Sequence, residues 1–211
     1  MDVLRELDRV GAILLDRHFV YKSGKHGSGY INMDPLFGEV ELVQAICAEL
    51  VRPFDGTFDT VAGPATGGIV LAFAAAGQAE RSGVGAVWAD KTADGFAFER
   101  AGFVQRLSGR RVLVVEDLLT TGGSVAAVCR EVSRHGGELV GASVICNRGQ
   151  VTAEQIGVPR LEALATVQFE AVDAERCPLC AAGVPIVVDI GHGAAYRADH
   201  PDYPGGYVNL L

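Results

Sequence analysis

The segment from Val112 to Val125, which reads VLVVEDLLTTGGSV, constrains the fold more than any other part of the chain. Four β-forming residues lead into an acidic pair, and two threonines, two glycines and a serine then precede a helical pattern. A buried strand that passes through a glycine-rich turn into a helix is typical of open α/β sheets, which bind ligands at the carboxyl ends of their strands. The segment therefore predicts an α/β fold with a functional site at this turn.

Strand and helix patterns alternate through the middle of the chain, which predicts crossover units and a mostly parallel sheet. Apolar residues at helical spacing predict further helices near the amino terminus and before Pro53. The strands are expected at 59–63, 85–90, 109–117 and 138–147, and the helices at 3–16, 42–50, 67–83 and 122–137.

We expect one domain, 1–211, with a small N-terminal hood (about 1–35), a core (about 36–170) and an irregular C-terminal tail (about 171–211). In the hood, the apolar ends of 21–34 are expected to pair as short strands around a basic turn. Segment 91–109 is polar and contains two internal glycines, so it is interpreted as a surface hairpin or a mobile flap.

Composition excludes several classes of protein. Hydrophobic residues make up 49% of the 211 residues, which excludes global disorder. The formal net charge of −8 disfavours nucleic acid and anionic membrane surfaces as partners. No run approaches the roughly 18 apolar residues of a membrane span, and the first residues lack the pattern of a signal peptide. These features predict a cytoplasmic protein.

The five cysteines divide into two groups. Cys47, Cys129 and Cys146 lie in apolar runs and are interpreted as reduced core residues. Cys177 and Cys180 form a C-x-x-C pair, which could bind Zn²⁺ or act as a redox pair. Because a single pair is weak evidence, a structural turn is favoured and no metal held by protein side chains is expected.

The residue types of the 116–124 segment suit a phosphorylated sugar. Glycines allow several N–H groups to point at one anion, and the helix N-terminus and the hydroxyls add further donors. Glu116 and Asp117 would repel a bare phosphate but can accept hydrogen bonds from a sugar diol, with a divalent cation relieving their charge. A ribose 5-phosphate meets both requirements. The segment lacks a Walker A lysine and a G-x-G-x-x-G pattern, and a plain glycine-rich turn remains the alternative.

VVEDLLTTGGS resembles the phosphoribosyl-pyrophosphate signature of type I phosphoribosyltransferases. Four further segments are similar to the short bacterial orotate phosphoribosyltransferases: YKSGKHGSGYIN (21–32), VAGPATGGI (61–69), NRG (147–149) and CPLCAAGVPI (177–186). The resemblance implies a parallel sheet flanked by helices and a homodimer. It also implies transfer of the phosphoribosyl group of phosphoribosyl pyrophosphate (PRPP) to orotate in pyrimidine biosynthesis, with Mg²⁺ bound to the substrate.

The resemblance also implies roles for individual residues. Lys91, Asp117 and Arg100 are the expected catalytic residues, and Tyr30, Thr120 and Arg148 are expected to bind orotate. The residues expected to bind PRPP are Lys22, Gly63, Gly67, Gly68, Glu116, Asp117, Thr120, Thr121, Gly122, Gly123 and Ser124. Solvated roles for Lys22, Lys91, Arg100 and Arg148, and a packing role for Tyr30, stay open as alternatives. His26 is interpreted as a surface histidine.

The chain departs from the family pattern at two places. The flap segment has neither a second lysine nor a histidine, and Gly67 stands where many members carry lysine. These departures leave open which cationic groups face the leaving pyrophosphate. Two alternative functions also stay open: transfer to another base such as a purine, or a regulator of the same fold that senses PRPP and binds nucleic acid.

Overall fold

The computed structural model describes residues 1–210. Within them the strands are β1 Ile13–Leu14, β2 Phe19–Val20, β3 His26–Gly27, β4 Tyr30–Ile31, β5 Thr60–Pro64, β6 Gly85–Thr92, β7 Gly95–Ala97, β8 Arg111–Leu119, β9 Glu138–Asn147, β10 Leu161–Thr166, β11 Ile186–Val187 and β12 Tyr207–Val208. The α-helices are α1 Val3–Arg9, α2 Val40–Val51, α3 Gly67–Gln78, α4 Phe103–Leu107, α5 Gly123–Arg134, α6 Ala153–Ile156, α7 Pro178–Ala181 and α8 Gly193–Asp199. None of these helices is long and apolar enough to cross a bilayer.

The chain forms two compact units. The first contains Met33–Gln168 and Met1, and the second combines Asp2–Asn32 with the chain from Phe169 onward. The expected hood and tail therefore belong to the same unit. The expectation of a single domain stays a prediction.

The first unit is built on a six-stranded sheet with the order β10-β9-β8-β5-β6-β7. All neighbouring pairs are parallel except β6 and β7, which are antiparallel. Thr60 of β5 lies opposite Val112 of β8 on one side and Gly85 of β6 on the other. The predicted α/β fold with a parallel sheet flanked by helices is confirmed, and β8 lies in the interior of the sheet.

Packing of α5 explains why the site segment has a defined position. The helix buries Val125, Val128, Cys129 and Val132, which recur at the spacing of one helix face. These side chains join a core cluster that includes Val112 of β8. Burial of each such side chain stabilises the fold by roughly 1.5–3 kcal/mol. Strand and helix are thus fixed on both sides of the turn that joins them.

Some predicted element boundaries are wrong. The helix expected over 3–16 ends at Arg9, because Gly11 adopts a φ of +75° and the chain then enters β1. The helix expected over 67–83 ends at Gln78, where Ala79 is extended. The ends of 21–34 do not pair with each other, because Tyr30 and Ile31 pair with Leu14 and Ile13. The edge strand β10 was not predicted, whereas β7 pairs with the end of β6 in the hairpin that was one of the two interpretations of 91–109.

The second unit contains short paired strands and a small apolar core. β2 pairs with β3, β11 pairs with β12, and Phe19, Tyr21 and Val187 form the buried cluster. His26 is fully buried in this unit, so its interpretation as a surface histidine is wrong. Its ring nitrogens are considered below.

The three cysteines expected in apolar cores are confirmed as buried free thiols: Cys47, Cys129 and Cys146. Burial raises the pKa of Cys47 and Cys129 to about 12 and that of Cys146 to about 11. Neutral thiols of this kind contribute packing and little reactivity.

Candidate active site

A small polar cavity of about 40 Å³ lies at the carboxyl end of β8. Glu116 lies on its wall, and the chain from Leu118 to Val125 forms the rest of the lining. Thr120, Thr121 and Ser124 are exposed there, so their hydroxyls can reach a bound ligand. The structure therefore places Glu116 and the predicted hydroxyl groups around one cavity, whereas Asp117 is not part of its lining.

Gly122 gives the turn its curvature. Its φ is +75°, a left-handed conformation that glycine adopts without strain. A Cβ at this position would also lie 2.7 Å from Ile156 Cγ2 and 2.9 Å from Val151 Cγ1. Only glycine fits both the backbone conformation and the space.

The first turn of α5 is open to an anion. Gly122 is the N-cap residue, and it has no side chain that could accept a capping hydrogen bond. The Gly123 N–H makes one long contact of 3.5 Å with Thr121 Oγ1. Uncapped N–H groups at the start of a helix are suited to phosphate, since the helix dipole also favours negative charge there.

The surroundings of the acidic pair disfavour the charged form of both carboxyl groups. Glu116 is 8% exposed, and Asp117 is half-buried. Burial raises the pKa of Glu116 well above its usual value, and the nearby charge of Asp117 adds to this rise. Burial also raises the pKa of Asp117, and the charge of Asp34 contributes in the same direction. Such carboxylates gain from hydroxyl donors or from a cation.

The loop after β5 lies next to this pair, because β5 and β8 are parallel neighbours. A Cβ at Gly67 would contact the carboxylate of Asp117, and one at Gly68 would lie 2.8 Å from Pro64 Cδ. Gly63 packs in the same way against the backbone of Gly68. The peptide bond between Ala65 and Thr66 is cis. The predicted glycines therefore allow this loop to approach the acidic pair closely.

Arg148 is half-buried and follows β9 beside the 116–124 segment. Its N–H donates to Leu119 O at 2.9 Å, and the Gly149 N–H donates to the same oxygen at 3.0 Å. A Cβ at Gly149 would overlap the carbonyl group of Thr120. Gly149 is thus needed for the contact between the two loops.

Asn147, which precedes Arg148, holds the start of the same loop. It is buried, donates to Val151 O at 2.8 Å and accepts from Val151 N at 3.0 Å. Sequence reasoning assigned no role to Gly149 or Asn147, although both lie in or next to the NRG motif.

The 91–109 segment contains the antiparallel hairpin of β6 and β7, followed by α4. Lys91 is exposed on β6, opposite Phe96. The Arg100 Nε donates to Asp90 Oδ2 at 3.2 Å, and its guanidinium lies 5.0 Å from the centre of the Trp88 ring. Arg100 is therefore held at the base of the hairpin. Its predicted catalytic role, and that of Lys91, stay predictions.

Two further predicted site residues belong to the second unit. Lys22 is exposed on the segment that joins β2 and β3. Tyr30 is half-buried, and its ring centre lies 5.4 Å from that of Phe19. The packing role weighed for Tyr30 is thus observed within its own unit. The ligand-binding roles of Lys22 and Tyr30 stay predictions.

Comparisons with known proteins agree with this geometry. The family described as phosphoribosyl transferase domain matches residues 38–172. An orotate phosphoribosyltransferase of Desulforamulus reducens is 37% identical over 188 residues, covering 88% of this chain and 94% of that protein. One of Caldanaerobacter subterraneus is 39% identical over 171 residues, covering 81% and 86%.

Solved structures give a similar result. The orotate phosphoribosyltransferase of Aeropyrum pernix has a TM-score of 0.60 and 25% identity, covering 79% of this chain and 94% of that chain. The enzyme of Mycobacterium tuberculosis, in complex with PRPP, has a TM-score of 0.51 and 27% identity, covering 65% and 81%.

Proposed function

The chain belongs to the orotate phosphoribosyltransferase family, and from this premise we propose that it transfers the phosphoribosyl group of PRPP to orotate. The products are orotidine 5′-phosphate and pyrophosphate, and the reaction belongs to pyrimidine biosynthesis. The observation that carries the proposal is the position of Glu116 beside the small polar cavity at the start of α5. An acidic pair next to an anion cradle is the arrangement that a phosphorylated ribose requires.

The 5′-phosphate is bound by the turn and the first residues of α5. The hydroxyls of Thr120, Thr121 and Ser124 and the N–H groups of Gly122 and Gly123 supply the donors. Glu116 and Asp117 accept hydrogen bonds from the two ribose hydroxyls. Because Glu116 is buried and Asp117 is half-buried, water competes less for these contacts than it would at an exposed site, which strengthens them.

Orotate carries a carboxylate that a neutral purine lacks. Arg148 leaves the sheet edge directly beside Leu119, and a guanidinium can bind a carboxylate through two parallel hydrogen bonds. Thr120 lies next to Arg148, because its carbonyl group packs closely against Gly149. Tyr30 packs against the pyrimidine ring in this proposal.

Departure of pyrophosphate is the step that the protein must assist. The bond from C1′ to the pyrophosphate oxygen breaks with its electron pair staying on pyrophosphate, and orotate N1 bonds to C1′ and loses its proton. The transition state resembles an oxocarbenium ion, so no protein nucleophile is needed. Positioning, cationic groups and exclusion of water lower the barrier.

The cationic groups proposed for the leaving pyrophosphate are Lys22, Lys91 and Arg100. Gly63, Gly67 and Gly68 let the backbone of the loop after β5 approach the same group. Segment 91–109 supplies Lys91 and Arg100 when it closes over the site of a neighbouring subunit. Both side chains are exposed, as contact with a ligand requires.

Mg²⁺ arrives with PRPP in this proposal. Burial raises the pKa of both Glu116 and Asp117, and neighbouring negative charge adds to the rise. A cation would relieve both effects, and hard oxygen ligands of this kind suit Mg²⁺. When bound with PRPP, the ion would supply positive charge that favours the departing pyrophosphate. Glu116 and Asp117 are the residues that would face it.

We propose a homodimer as the active form. Val40 on α2 and Val70 and Phe73 on α3 are exposed apolar side chains, and Phe73 is 74% exposed. They surround an open apolar groove between these helices. A patch of this kind on a protein of this size is typical of an interaction surface. A cytoplasmic location stays a prediction.

A steady-state assay tests the proposed reaction. Purified protein with Mg²⁺ and PRPP is expected to turn over orotate at least about a hundredfold faster than adenine, hypoxanthine or uracil, because two charge-assisted hydrogen bonds are at stake. Turnover of a purine in preference to orotate would favour the other-base alternative. Absence of turnover together with salt-sensitive binding of RNA or DNA would favour the regulator.

A further inference from the structure

A cluster of four potential metal ligands lies in the second unit, and none of its members is among the residues assigned to the candidate active site. Its members are His18, His26, Cys177 and Cys180, and we call it the His₂Cys₂ cluster. One ligand atom from each residue lies within 4.8 Å of each of the others. Three of the four residues are buried, and Cys180 is partly buried.

The distances within the cluster approach those of a tetrahedral site. His18 Nε2 lies 2.8 Å from His26 Nδ1 and 3.7 Å from each of the two sulfurs, Cys177 Sγ and Cys180 Sγ. Cys180 Sγ lies 3.3 Å from His26 Nδ1. Zinc bonds of about 2.0–2.1 Å to nitrogen and 2.3 Å to sulfur give edges of roughly 3.3–3.8 Å. Small rotations of the two imidazole rings would separate their nitrogens enough to fit an ion.

The outer contact of His18 prepares it as a ligand. Its Nδ1 lies 2.9 Å from Val184 O. A carbonyl oxygen only accepts, so Nδ1 carries the hydrogen and the lone pair of Nε2 points into the cluster. A histidine fixed in this way by a carbonyl group is a recurring feature of metal sites.

The two ring nitrogens of His26 have different surroundings, because only Nδ1 contacts other members of the cluster. Its Nε2 is buried and has no hydrogen-bond partner within residues 1–210. If Nδ1 donates its hydrogen to His18 Nε2, the ring keeps a buried acceptor that nothing satisfies. An ion bound at Nδ1, the nitrogen that faces the cluster, would replace the contact between the two histidines and place the ring hydrogen on Nε2.

The four side chains come from opposite ends of the sequence. His18 and His26 belong to the segment of β2 and β3, and Cys177 and Cys180 lie 159 and 154 residues further on, respectively. The backbones of His26 and Val172 also exchange hydrogen bonds of 2.8 and 3.0 Å. An ion here would join both ends of a unit whose apolar core is small. Small units of this kind commonly depend on metals or disulfides.

We propose that the His₂Cys₂ cluster binds one zinc ion as a structural site. Two nitrogen and two sulfur ligands in a buried tetrahedral arrangement favour zinc over magnesium or calcium, which prefer oxygen. Four protein ligands leave no open position, which is the hallmark of a structural zinc site. In this proposal Cys177 and Cys180 are zinc ligands, whereas the sequence alone favoured a purely structural turn for them.

The site has a consequence for the proposed reaction. Lys22 lies between the two histidines on the segment that joins β2 and β3. The ion therefore fixes the loop that presents Lys22 to pyrophosphate, a statement that rests on the proposed function. Zinc binding itself does not rest on that function, and it is measured without any substrate.

Metal analysis of the full, tag-free chain tests the proposal. Protein produced with added zinc is expected to hold about one zinc per chain. Cys180→Ser and His26→Ala are expected to hold less than about one fifth of that amount, since loss of one of four ligands weakens a closed site strongly. Cys129→Ala and His192→Gln serve as controls with a cysteine and a histidine outside the cluster, and both are expected to retain about one zinc.

Cobalt substitution keeps the test valid if the variants fold poorly. Wild-type protein stripped with a chelator and titrated with Co²⁺ is expected to reach saturation at one equivalent, with the visible bands of tetrahedral cobalt and a thiolate charge-transfer band. Wild-type protein that takes up neither zinc nor cobalt would overturn the proposal. Retention of zinc by Cys180→Ser, or a mass 2 Da lower that shows a Cys177–Cys180 disulfide, would also overturn it.

Discussion

The backbone N–H of Asp117 donates a 3.1 Å hydrogen bond to Glu116 Oε1, so the side chain of one acid is fixed by the main chain of the next. This contact partly offsets the burial of Glu116. The pKa of Glu116 is nevertheless raised well above its usual value, because burial outweighs the hydrogen bond. The site therefore costs the ligand-free protein stability that a substrate can restore.

The first prediction concerns this cost. Folded protein keeps the Glu116 proton at pH values where the unfolded chain, with a pKa of about 4.3, has lost it. Stability therefore falls as pH rises above that value. Glu116→Gln is expected to raise Tm at pH 8 by about 2–4 °C, with a smaller rise at pH 4.5. Thermal unfolding without substrate measures both, and Glu154→Gln is the exposed control. A lower Tm for Glu116→Gln at pH 8 would contradict this account.

Gly67 is predicted to be needed for the position of Asp117, because a Cβ at residue 67 would contact its carboxylate. Gly67→Ala is expected to lower kcat/KM for PRPP at least about tenfold, which corresponds to about 1.4 kcal/mol. Gly38→Ala is the matched control, since a Cβ there meets nothing within 4 Å. Equal activity of the two variants would show that the site accommodates a Cβ at residue 67 without displacing Asp117.

Arg148 is predicted to discriminate between the two substrates. Arg148→Ala is expected to raise the orotate KM at least about tenfold while the PRPP KM changes less than about threefold, because only orotate carries the carboxylate. The orotate KM of Arg148→Lys is expected to lie between those of Arg148→Ala and the wild type, since lysine keeps the charge but lacks the planar guanidinium. Arg134→Ala controls for loss of a surface arginine. A parallel rise of both KM values would argue against a carboxylate contact.

Arg100 is predicted to leave its contacts with Asp90 and Trp88 during turnover. Arg100→Ala is expected to lower kcat about tenfold with Tm nearly unchanged, because an exposed ion pair contributes only about 0–1 kcal/mol. Asp90→Asn frees the guanidinium and is expected to keep kcat at or above the wild-type value. Wild-type kcat in Arg100→Ala would leave the ion pair as the only role of this arginine.

The parts of the fold that the sequence predicted are those decided locally. The continuous β-forming run from Val112 to Val115 and the apolar face of α5 identified the central strand and its helix. The strand β10 is short and half-exposed at the edge of the sheet, so its pattern is weak. The end of α1 depends on the conformation of Gly11, which nothing in the local pattern indicates.

The same division applies to the site. Glu116, Asp117 and the phosphate turn lie together because they are consecutive in the chain. The roles of Gly149 against Thr120 and of Gly67 against Asp117 depend on contacts between neighbouring strands, which one sequence does not reveal. The His₂Cys₂ cluster was not predicted because its histidines and cysteines are more than 150 residues apart.

The central claim is that the end of β8 binds a phosphorylated pentose through the acidic pair and the turn that follows it. Isothermal titration calorimetry with PRPP and Mg²⁺ measures this directly. We predict one PRPP per chain for the wild type and for the exposed control Asp8→Asn, and at least about tenfold weaker binding for Asp117→Asn, which loses a charged hydrogen-bond acceptor. Unchanged affinity in Asp117→Asn, or no PRPP binding by the wild type, would contradict the claim.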